Sequence, residues 1–412
     1  MSNFLRAGLL AATLMLGSCG ILHDVRPDLM MRETPMIQGN RVTLLFDGPQ
    51  TMASMSEAIR AAKSHIHLET YIFEQDHVGE SFATLLKDRQ RAGVQVRVIY
   101  DAVGTLGTPQ QFFEEMRATG VQLLAFNPVN PFKLKGPWKP NRRDHRKILV
   151  VDGAVAFTGG VNISSTYSSR SPFRSKSKRS GMGAVGWRDT HIKLEGPAVA
   201  ELQRAFLSTW HTMRPVESTQ GIFFPLLMPM GNKAVKVLTS EPDGDQDIYR
   251  AHILAIRAAQ KSIHMTSAYF VPDPQLLSAL CDAAQRHVDV KLILPGVLEG
   301  GMVFFAGHSF YSDMLACGIR IHQMQIAVLH AKTAVIDRHW STVGSTNMDT
   351  RSFLHNSELN VIVLDDGFAS AMEKAFDDDL VNTREMTAAT WDRRSNLDRI
   401  KEWEARQFEY WL

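Results

Sequence analysis

One pattern of polar residues occurs twice in this chain with the same internal spacing. The first copy is H-R-K-I-L-V-V-D at residues 145–152, followed after six residues by G-G-V-N at 159–162. The second copy is H-A-K-T-A-V-I-D at 330–337, followed after six residues by G-S-T-N at 344–347. A single copy does not distinguish a functional motif from a core segment, but two matched copies indicate an internal repeat. The chain is therefore expected to fold as two equivalent halves.

The sequence upstream of each motif repeats as well. The segment A-I-R-A-A at residues 58–62 leads into H-I-H, and A-I-R-A-A at 255–259 leads into S-I-H. Helical spacing of apolar residues follows at 79–92 and again at 274–287, and a strand-like segment comes after each helix. Repeated strand–helix–strand units predict an α/β fold with two pseudo-equivalent lobes, each a mostly parallel sheet flanked by helices.

An apolar segment interrupted by proline separates the two lobes. Residues 221–230, G-I-F-F-P-L-L-M-P-M, are broken twice by proline, which is typical of a connection. Such a segment either packs against the lobes or dips into a bilayer surface, and we favour packing. The domain boundaries that follow are 1–19 for a signal segment, 20–40 for a linker, 41–219 for the first lobe, 220–231 for the connection and 232–412 for the second lobe.

The composition is that of a folded protein with two domains. With 412 residues, of which 44% are apolar and 21% charged, the chain is long enough for two cores of ordinary size. Disorder is therefore not expected for most of its length. The 45 basic and 43 acidic residues give a formal charge of +2, so nucleic acid is not an expected partner. Nothing in the sequence indicates an oligomeric state.

The N-terminus resembles an export signal. One basic residue, Arg6, precedes an apolar stretch from Ala7 to Leu16, which is short for a membrane-spanning helix. The segment L-G-S-C that ends at Cys19 resembles the lipobox of bacterial lipoproteins, in which the signal is cut before the cysteine and that cysteine is acylated. We expect a lipid anchor at Cys19 and a membrane-associated, periplasm-facing location in a bacterial cell envelope. The alternative is an ordinary signal or an uncleaved anchor.

Two further cysteines, Cys281 and Cys317, are too few for a disulfide framework or a zinc site. We interpret both as small, buried, apolar side chains. No acidic metal cluster is visible in the sequence, so neither a metal nor another cofactor is expected.

The duplicated residues suit an anionic phosphorus centre. Because residues two apart share one face of a strand, each histidine is expected beside the lysine of its own motif. The Gly-Gly or Gly-Ser turn lets a short amide side chain approach a ligand closely, so each asparagine can donate a hydrogen bond to the same oxygens. The candidate residues are His145, Lys147 and Asn162 in the first half and His330, Lys332 and Asn347 in the second.

These motifs resemble the paired HKD motifs of the phospholipase D superfamily. The resemblance covers nearly all of the chain after the signal segment, and it implies that the two halves form one active site. In this chemistry one histidine attacks phosphorus to give a phosphohistidine, and the other protonates the leaving oxygen and later activates the incoming alcohol or water. By this resemblance His145 is the nucleophile and His330 is the acid and base. Because the two motifs are alike, their residues alone do not show which histidine is the nucleophile.

The motif aspartates, Asp152 and Asp337, are expected to be structural. Each lies at an odd offset from its histidine along a strand, which points it to the opposite face. The segments W-R-D at 187–189 and N-S-E at 356–358 open matching strands, and the superfamily resemblance implies that a carboxylate there hydrogen-bonds a catalytic histidine. A surface carboxylate is the alternative reading. The two carboxylates added to the candidate site are Asp189 and Glu358.

Sequence outside the motifs resembles bacterial cardiolipin synthases. The similar segments are E-T-Y-I-F at 69–73, Y-D-A-V-G at 100–104, N-R-R-D at 141–144, W-R-D-T-H at 187–191, Y-F-V-P-D at 269–273 and N-M-D-T-R-S-F at 347–353. Such enzymes join a phosphatidyl group to the headgroup of a second glycerophospholipid, commonly phosphatidylglycerol. Many members have two spanning helices before the first lobe, and this chain has one short apolar segment. It is therefore nearer to the short bacterial forms, and the acceptor stays open.

Basic residues flank the first motif, with Phe132 and Trp138 among them. They are Lys133, Lys135, Lys139, Arg142, Arg143, Arg170, Arg174, Lys176, Lys178 and Arg179. This pattern favours anionic glycerophospholipids and a membrane surface as partners, with a nucleic-acid backbone or plain solvent as alternatives. The sequence thus predicts a phosphatidyl transferase of the cardiolipin synthase type. A phospholipase D or nuclease-type hydrolase is the alternative, and an inactive lipid-binding scaffold is disfavoured because both His-Lys pairs are intact.

Overall fold

The computed structural model describes most of the chain after its N-terminal segment. The described residues are 35–128, 139, 141–168, 186–214, 223–242, 244–297 and 301–411. The expected signal segment with Cys19 lies outside them, as do most residues of the basic clusters around the first motif. None of the described helices is long and apolar enough to cross a membrane.

The first half contains nine strands and four α-helices among the described residues. The strands are Ile37–Leu45 (β1), His65–Thr70 (β2), Gln95–Asp101 (β3), Gln122–Phe126 (β4), Arg143–Asp144 (β5), Ile148–Val151 (β6), Val155–Gly159 (β7), Trp187–Arg188 (β8) and His191–Glu195 (β9). The helices are Gly48–Ala61 (α1), His77–Arg91 (α2), Gln110–Ala118 (α3) and Val199–Met213 (α4). Helix α2 begins where the Asp76 carboxylate accepts hydrogen bonds from two backbone N–H groups of the first turn.

The second half repeats this order and adds elements at its end. The strands are Lys233–Ser240 (β10), Ser262–Ser267 (β11), Asp289–Pro295 (β12), Arg320–Met324 (β13), Val328–Leu329 (β14), Lys332–Ile336 (β15), Trp340–Gly344 (β16), Asn356–Leu364 (β17) and Thr383–Met386 (β18). The helices are Asp247–Ala258 (α5), Pro274–Gln285 (α6), Met302–His308 (α7), Tyr311–Ala316 (α8), Thr350–Leu354 (α9), Asp366–Leu380 (α10), Ala388–Asp392 (α11) and Asn396–Arg406 (α12). Asp273 caps α6 as Asp76 caps the corresponding α2.

One large sheet runs through both halves. Its order is β18-β13-β12-β11-β15-β16-β17-β10-β1-β9-β7-β6-β2-β3-β4, with β5 attached to β17. Read outward from the β1–β10 pair, the corresponding strands of the two halves follow one another in the same sequence. The predicted α/β class and the equivalence of the halves are confirmed.

The pairing within the sheet differs from the expected mostly parallel arrangement. Parallel pairing joins β2, β3 and β4 in the first half and β11, β12 and β13 in the second. The strands of each motif are antiparallel, because β6 and β7 are joined only by residues 152–154, too few for a parallel crossover. Residues 37–40, expected to be linker, belong to β1, which pairs with β9 and β10.

The apolar core continues from one half to the other. A central cluster of buried residues combines Val150 and Leu202 of the first half with Val361 and Met372 of the second. Separate clusters fill the outer part of each half. The connecting segment packs only in part: Phe223 is buried, but the side chain of Leu226 is 91% exposed.

A disulfide bond corrects the interpretation of two cysteines as unpaired apolar side chains. Cys281 in α6 is bonded to Cys317, which follows α8, although 36 positions separate them in the sequence. Both side chains are only half-buried. Sequence spacing did not reveal the bond, because it depends on how α6 and α8 pack against each other in the second half.

Candidate active site

Each motif histidine is held by a strand from the opposite half. Strand β5, just before His145, runs parallel to the start of β17, and β14, just before His330, runs parallel to β8. The backbone N–H of His145 donates to Ser357 O at 2.9 Å, and that of His330 donates to Arg188 O at 2.8 Å. These two short crossing ladders bring both motifs to one place.

The ladders also pair each histidine with a carboxylate from the other half. His145 Nδ1 lies 3.0 and 3.1 Å from the two carboxylate oxygens of Glu358, and His330 Nδ1 lies 2.7 Å from Asp189 Oδ2. Both carboxylates are fully buried. A proton on Nδ1 that is donated to the carboxylate leaves Nε2 of each ring as the atom available for chemistry.

Glu358 is held as an anion. The hydroxyl of Ser345, in the Gly-Ser turn of the second motif, donates to one of its oxygens, and Asn356 Nδ2 donates to the other at 3.2 Å. Burial raises the pKa of Glu358, but His145, Lys147 and the Ser345 hydroxyl outweigh burial, so that its pKa lies below the ordinary value. An anionic Glu358 stabilises a positive charge on the His145 ring.

Asp189 has a different environment. It accepts a hydrogen bond from its neighbour Thr190 N at 2.7 Å, and Gly160 of the first Gly-Gly turn packs directly against it. A Cβ atom at Gly160 would lie 2.0 Å from Asp189 Oδ1. Burial raises the pKa of Asp189 to about 6, although Lys332 opposes this. The carboxylate beside His330 therefore takes up a proton more readily than the carboxylate beside His145.

The motif lysines lie beneath the histidines, as the strand spacing predicts. Lys147 Nζ donates to His145 O at 2.5 Å, and Lys332 Nζ donates to His330 O. Both side chains are buried. Burial lowers the pKa of Lys147 to about 7 and that of Lys332 to about 8. An arriving phosphodiester anion would favour the charged form of both lysines.

The charged groups of the two motifs interact with one another. Burial lowers the pKa of His330 well below its ordinary value, and Lys332, Lys147 and His145 lower it further. Burial also lowers the pKa of His145, where Glu358 opposes the shift. Two imidazoles, two ammonium groups and two carboxylates thus act on one another across the boundary between the halves.

The two asparagines have unequal surroundings. Asn162 Oδ1 accepts from Ile72 N at 3.1 Å, and its Nδ2 donates to the Tyr167 hydroxyl at 2.8 Å. That hydroxyl lies 3.4 Å from His330 Nδ1. Asn347 Oδ1 is buried and accepts no hydrogen bond from the described residues. The Asn162 amide therefore orders a tyrosine beside His330. Hydrogen bonding of Asn162 and Asn347 to phosphate oxygens stays a prediction.

Comparison with known proteins identifies the family. A family model for cardiolipin synthase, PLD-like domain, matches residues 55–171 and 253–380, one segment in each half. The major cardiolipin synthase of Bacillus subtilis is 32% identical over 383 residues, which cover 91% of this chain and 76% of that protein.

The chain belongs to the cardiolipin synthase family.

Two further similarities bear on extent and fold. Cardiolipin synthase of Geobacillus kaustophilus is 35% identical over 333 residues. The matched region covers 80% of this chain but only 64% of that relative's length. The crystal structure of phosphatidylserine synthase from Haemophilus influenzae has a TM-score of 0.66 at 12% identity and covers 92% of this chain and 98% of its own. The latter similarity concerns the fold alone.

Aromatic side chains pack against the two histidines of this family member. The sequence had predicted no role for them in the site. The Tyr71 ring stands edge-on to His145 with the ring centroids 5.1 Å apart, and Lys147 Nζ lies 5.5 Å from the same ring. The ring centroids of Trp187 and Tyr167 lie 5.0 and 5.7 Å from that of His330. Nothing in the local sequence around Tyr167 marks it as a site residue, since its position depends on the fold.

A buried network of charged residues lies behind His145, and the sequence did not predict it. Burial and the neighbouring Asp144 carboxyl raise the pKa of Glu69 well above its ordinary value, and the pKa of Asp144 is raised by burial to about 6. Arg146 Nε donates to Glu358 O at 3.2 Å, and its Nη1 donates to Thr209 Oγ1 at 3.1 Å. Asp144 and Arg146 flank His145 in sequence, so this network fixes the backbone on both sides of the histidine.

The motif aspartates lie at the far ends of their strands. Asp152 accepts hydrogen bonds from three successive backbone N–H groups, those of residues 63–65, at 2.8, 2.7 and 2.9 Å. Asp337 accepts from residues 260–262 at 2.8, 2.7 and 3.0 Å. Each carboxylate ties its own hairpin to the start of the neighbouring strand. No group of three or more potential metal ligands occurs among the residues that the structure describes.

Proposed function

We propose that this chain is a phosphatidyl transferase of the cardiolipin synthase type that acts through a phosphohistidine. The observation that carries the proposal is the pair of histidines with crossed carboxylate partners, held over two buried lysines. Because both rings present Nε2 to the same site, one can attack phosphorus while the other handles the proton.

In the first half-reaction His145 Nε2 attacks the phosphorus of a phosphatidyl donor. A P–N bond forms and the P–O bond to the leaving headgroup breaks. The departing oxygen takes a proton from Nε2 of the His330 imidazolium, a charged form that the arriving phosphodiester anion favours. Glu358, whose pKa is lowered, balances the cationic phosphohistidine ring. Lys147 and Lys332 offset the negative charge that builds up on the phosphoryl oxygens.

In the second half-reaction the hydroxyl of another glycerophospholipid, such as phosphatidylglycerol, approaches the same phosphorus. His330 Nε2 takes the hydroxyl proton, the new P–O bond forms, and the P–N bond to His145 breaks. Asp189, with its raised pKa, suits this role because it supports both the protonated and the neutral form of His330. The difference between the two carboxylates supports His145 as the nucleophile.

The apolar surroundings favour an alcohol over water as acceptor. The rings of Tyr71, Tyr167 and Trp187 enclose the histidines. A further small recess of about 20 Å³, lined mainly by apolar side chains such as Phe270 and Val303, lies beside the turn that follows β11. Apolar walls of this kind lower the local concentration of competing water. Anionic glycerophospholipids are therefore the proposed substrates.

We also propose that the chain is a lipoprotein acylated at Cys19 that faces the periplasm. The Cys281–Cys317 disulfide supports this location, because disulfides persist in oxidising compartments. Membrane fractionation of a tagged Cys19→Ser variant beside wild type tests the anchor. Retention of the variant in membranes with unchanged lipidation would contradict it, and a fully reduced Cys281–Cys317 pair in freshly trapped cells would contradict the compartment.

The transferase activity is tested in a bacterium that lacks cardiolipin. Wild type is expressed beside His145→Ala and His330→Ala, and lipids are identified by mass spectrometry. We expect new diphosphatidyl lipid with wild type only. His339→Ala is the matched control, because that histidine is exposed near the second motif and its ring is hydrogen-bonded to the exposed carboxylate of Asp366.

Three results would overturn the assignment. They are the absence of diphosphatidyl lipid with wild type, wild-type amounts with either motif variant, and phosphatidic acid as the sole product. The last result would instead establish a hydrolase of the phospholipase D type.

A further inference from the structure

The last described α-helix presents three large apolar side chains to solvent. Helix α12 carries Leu397, Ile400 and Trp403, whose exposed fractions are 60%, 53% and 65%. Their spacing of three residues places them on one face of the helix. The opposite face buries Glu402 and Ala405 against the protein. The helix is therefore more apolar toward solvent than toward the protein, the reverse of a surface helix in a water-soluble domain.

Three more aromatic residues are exposed just beyond the end of α12. Phe408, Tyr410 and Trp411 are 49%, 45% and 59% exposed. We refer to Leu397, Ile400, Trp403, Phe408, Tyr410 and Trp411 together as the C-terminal apolar surface. Tryptophan and tyrosine concentrate at membrane–water interfaces, where the ring is apolar and the polar atom stays hydrated.

The helix that presents this surface is firmly attached. Ser395 caps its start by accepting from Asp398 N at 3.1 Å, and Glu402 forms an ion pair with Arg394 at 2.9 Å on the buried side. Lys401 Nζ lies 5.0 Å from the ring of Phe305, which belongs to α7. The apolar face is thus held outward by defined contacts and is not the result of a loose helix end.

The surface adjoins the strand that supplies Glu358. The ring of Tyr410 lies 5.6 Å from that of His355, and the ring of Trp411 lies 6.3 Å from it. His355 immediately precedes β17, and its carbonyl accepts from Arg143 N at 3.3 Å, two residues before His145. Only a few residues therefore separate the exposed aromatic rings from the crossing ladder that holds the nucleophile.

We propose that the C-terminal apolar surface docks into the interfacial layer of a phospholipid bilayer. The inference rests on the proposed function, because a lipid substrate must reach the histidines from a membrane next to them. A helix with an outward apolar face, a rim of Trp and Tyr and a position beside the site fits a bilayer surface. Docking in this way would let a lipid headgroup reach the histidines while the lipid stays in the membrane.

Site-specific fluorescence in the full chain tests this docking. Ile400→Cys in a Cys19→Ser background provides one free thiol, because Cys281 and Cys317 are bonded to each other. It is labelled with an environment-sensitive nitrobenzoxadiazole probe and mixed with phosphatidylglycerol vesicles that contain nitroxide lipids. The matched control is Val381→Cys in the same background, an exposed apolar position at the end of α10.

We expect the probe at position 400 to shift to the blue and to be quenched by nitroxide lipid, and the probe at position 381 to change little. An unquenched probe at 400 on vesicle-bound protein would refute the docking, and so would failure of the chain to sediment with vesicles. A blue shift that grows with protein concentration in the absence of vesicles would assign the surface to a second copy instead. A blue shift without lipid that is independent of concentration would assign it to the chain's own N-terminal segment.

Activity measurements separate this inference from the transferase proposal. A variant with Ile400→Glu and Trp403→Glu is expected to lose about tenfold or more of its activity on vesicles, because two apolar contacts with lipid are removed. Its activity on detergent-dispersed lipid should stay near that of wild type. Both activities of the control variant Val381→Glu should also stay near wild type. Equal losses on both substrates would contradict docking. Quenching at 400 without lipid product in either format would refute the transferase and leave the docking intact.

Discussion

His330 Nδ1 lies 2.7 Å from the carboxylate of Asp189, a residue 141 positions away in the other half of the chain. His145 and Glu358 form the equivalent pair of the repeat, 213 positions apart. Because each half supplies a histidine to one of these two pairs and a carboxylate to the other, neither half contains a complete motif pair. The site is therefore assembled by the ladders that join the halves, β5 with β17 and β14 with β8.

Removing the charge of either carboxylate should impair catalysis without unfolding the protein. Asp189→Asn and Glu358→Gln leave the volume unchanged but remove the anion that orients the imidazole and stabilises its cation. We expect kcat to fall by roughly 10²–10⁴. Steady-state kinetics and thermal melts of each variant check this, with Glu385→Gln, an exposed carboxylate paired with Arg320, as the control. Wild-type kcat in either variant would contradict the assigned role.

The division of labour between the histidines predicts a different response to leaving-group chemistry. A phosphatidyl nitrophenyl ester releases an anion that needs no proton, so His330→Ala should still form the phosphoenzyme and release nitrophenolate in a burst. His145→Ala should show no burst, because it lacks the nucleophile. Stopped-flow absorbance and acid-quenched labelling measure both. A burst in His145→Ala and none in His330→Ala would reverse the assignment.

The lysines should set the alkaline limb of the pH profile. In the free enzyme the pKa of Lys147 is about 7 and that of Lys332 about 8, both lowered by burial. As pH rises through this range, each lysine loses the charge that attracts the phosphodiester, so kcat/KM should fall. Between these folded-state pKa values and the unperturbed 10.5, the folded protein binds fewer protons at both lysines than the unfolded chain, so their contribution to stability should rise with pH throughout that window. A kcat/KM that is flat up to about pH 9 would contradict the prediction.

The Gly-Gly turn of the first motif should tolerate no side chain. Gly160→Ala places a Cβ atom 2.0 Å from Asp189 Oδ1, so the carboxylate must move away from His330. We expect a loss of kcat of about 10²-fold or more, with KM less affected. Gly107→Ala is the matched control, because a Cβ there meets nothing within 4 Å. Full activity of Gly160→Ala would show that Asp189 has room to adjust.

The motif aspartates should affect stability and spare chemistry. Asp337→Asn weakens three hydrogen bonds from backbone N–H groups, so the free energy of unfolding should fall by about 1–3 kcal/mol while kcat per folded molecule is retained. Burial raises the pKa of Asp337, but the backbone hydrogen bonds outweigh it and the net shift is downward. Its contribution to stability is therefore present above the unperturbed value of 3.8 and lost as pH falls below it. Denaturant unfolding at several pH values measures both effects, and a large loss of kcat would contradict them.

The sequence by itself determined the elements and the chemistry of the site. Strand–helix–strand units, the equivalence of the halves and the placement of Lys147 beside His145 follow from periodicity and short-range spacing, which act within a few residues. The residue types of the duplicated motif and their resemblance to known families identified a phosphodiester site. None of this required knowledge of how distant segments meet.

Only the tertiary structure decided the partners across the halves. The sequence marked Asp189 and Glu358 as equivalent carboxylates, but each histidine takes the carboxylate of the opposite half because β5 pairs with β17 and β14 with β8. The same long-range packing directs Asn162 toward Tyr167, joins Cys281 to Cys317 and makes the motif strands antiparallel. Hydrogen bonds between residues far apart in sequence depend on the registers in which strands meet, and local patterns of hydrophobicity do not specify those registers.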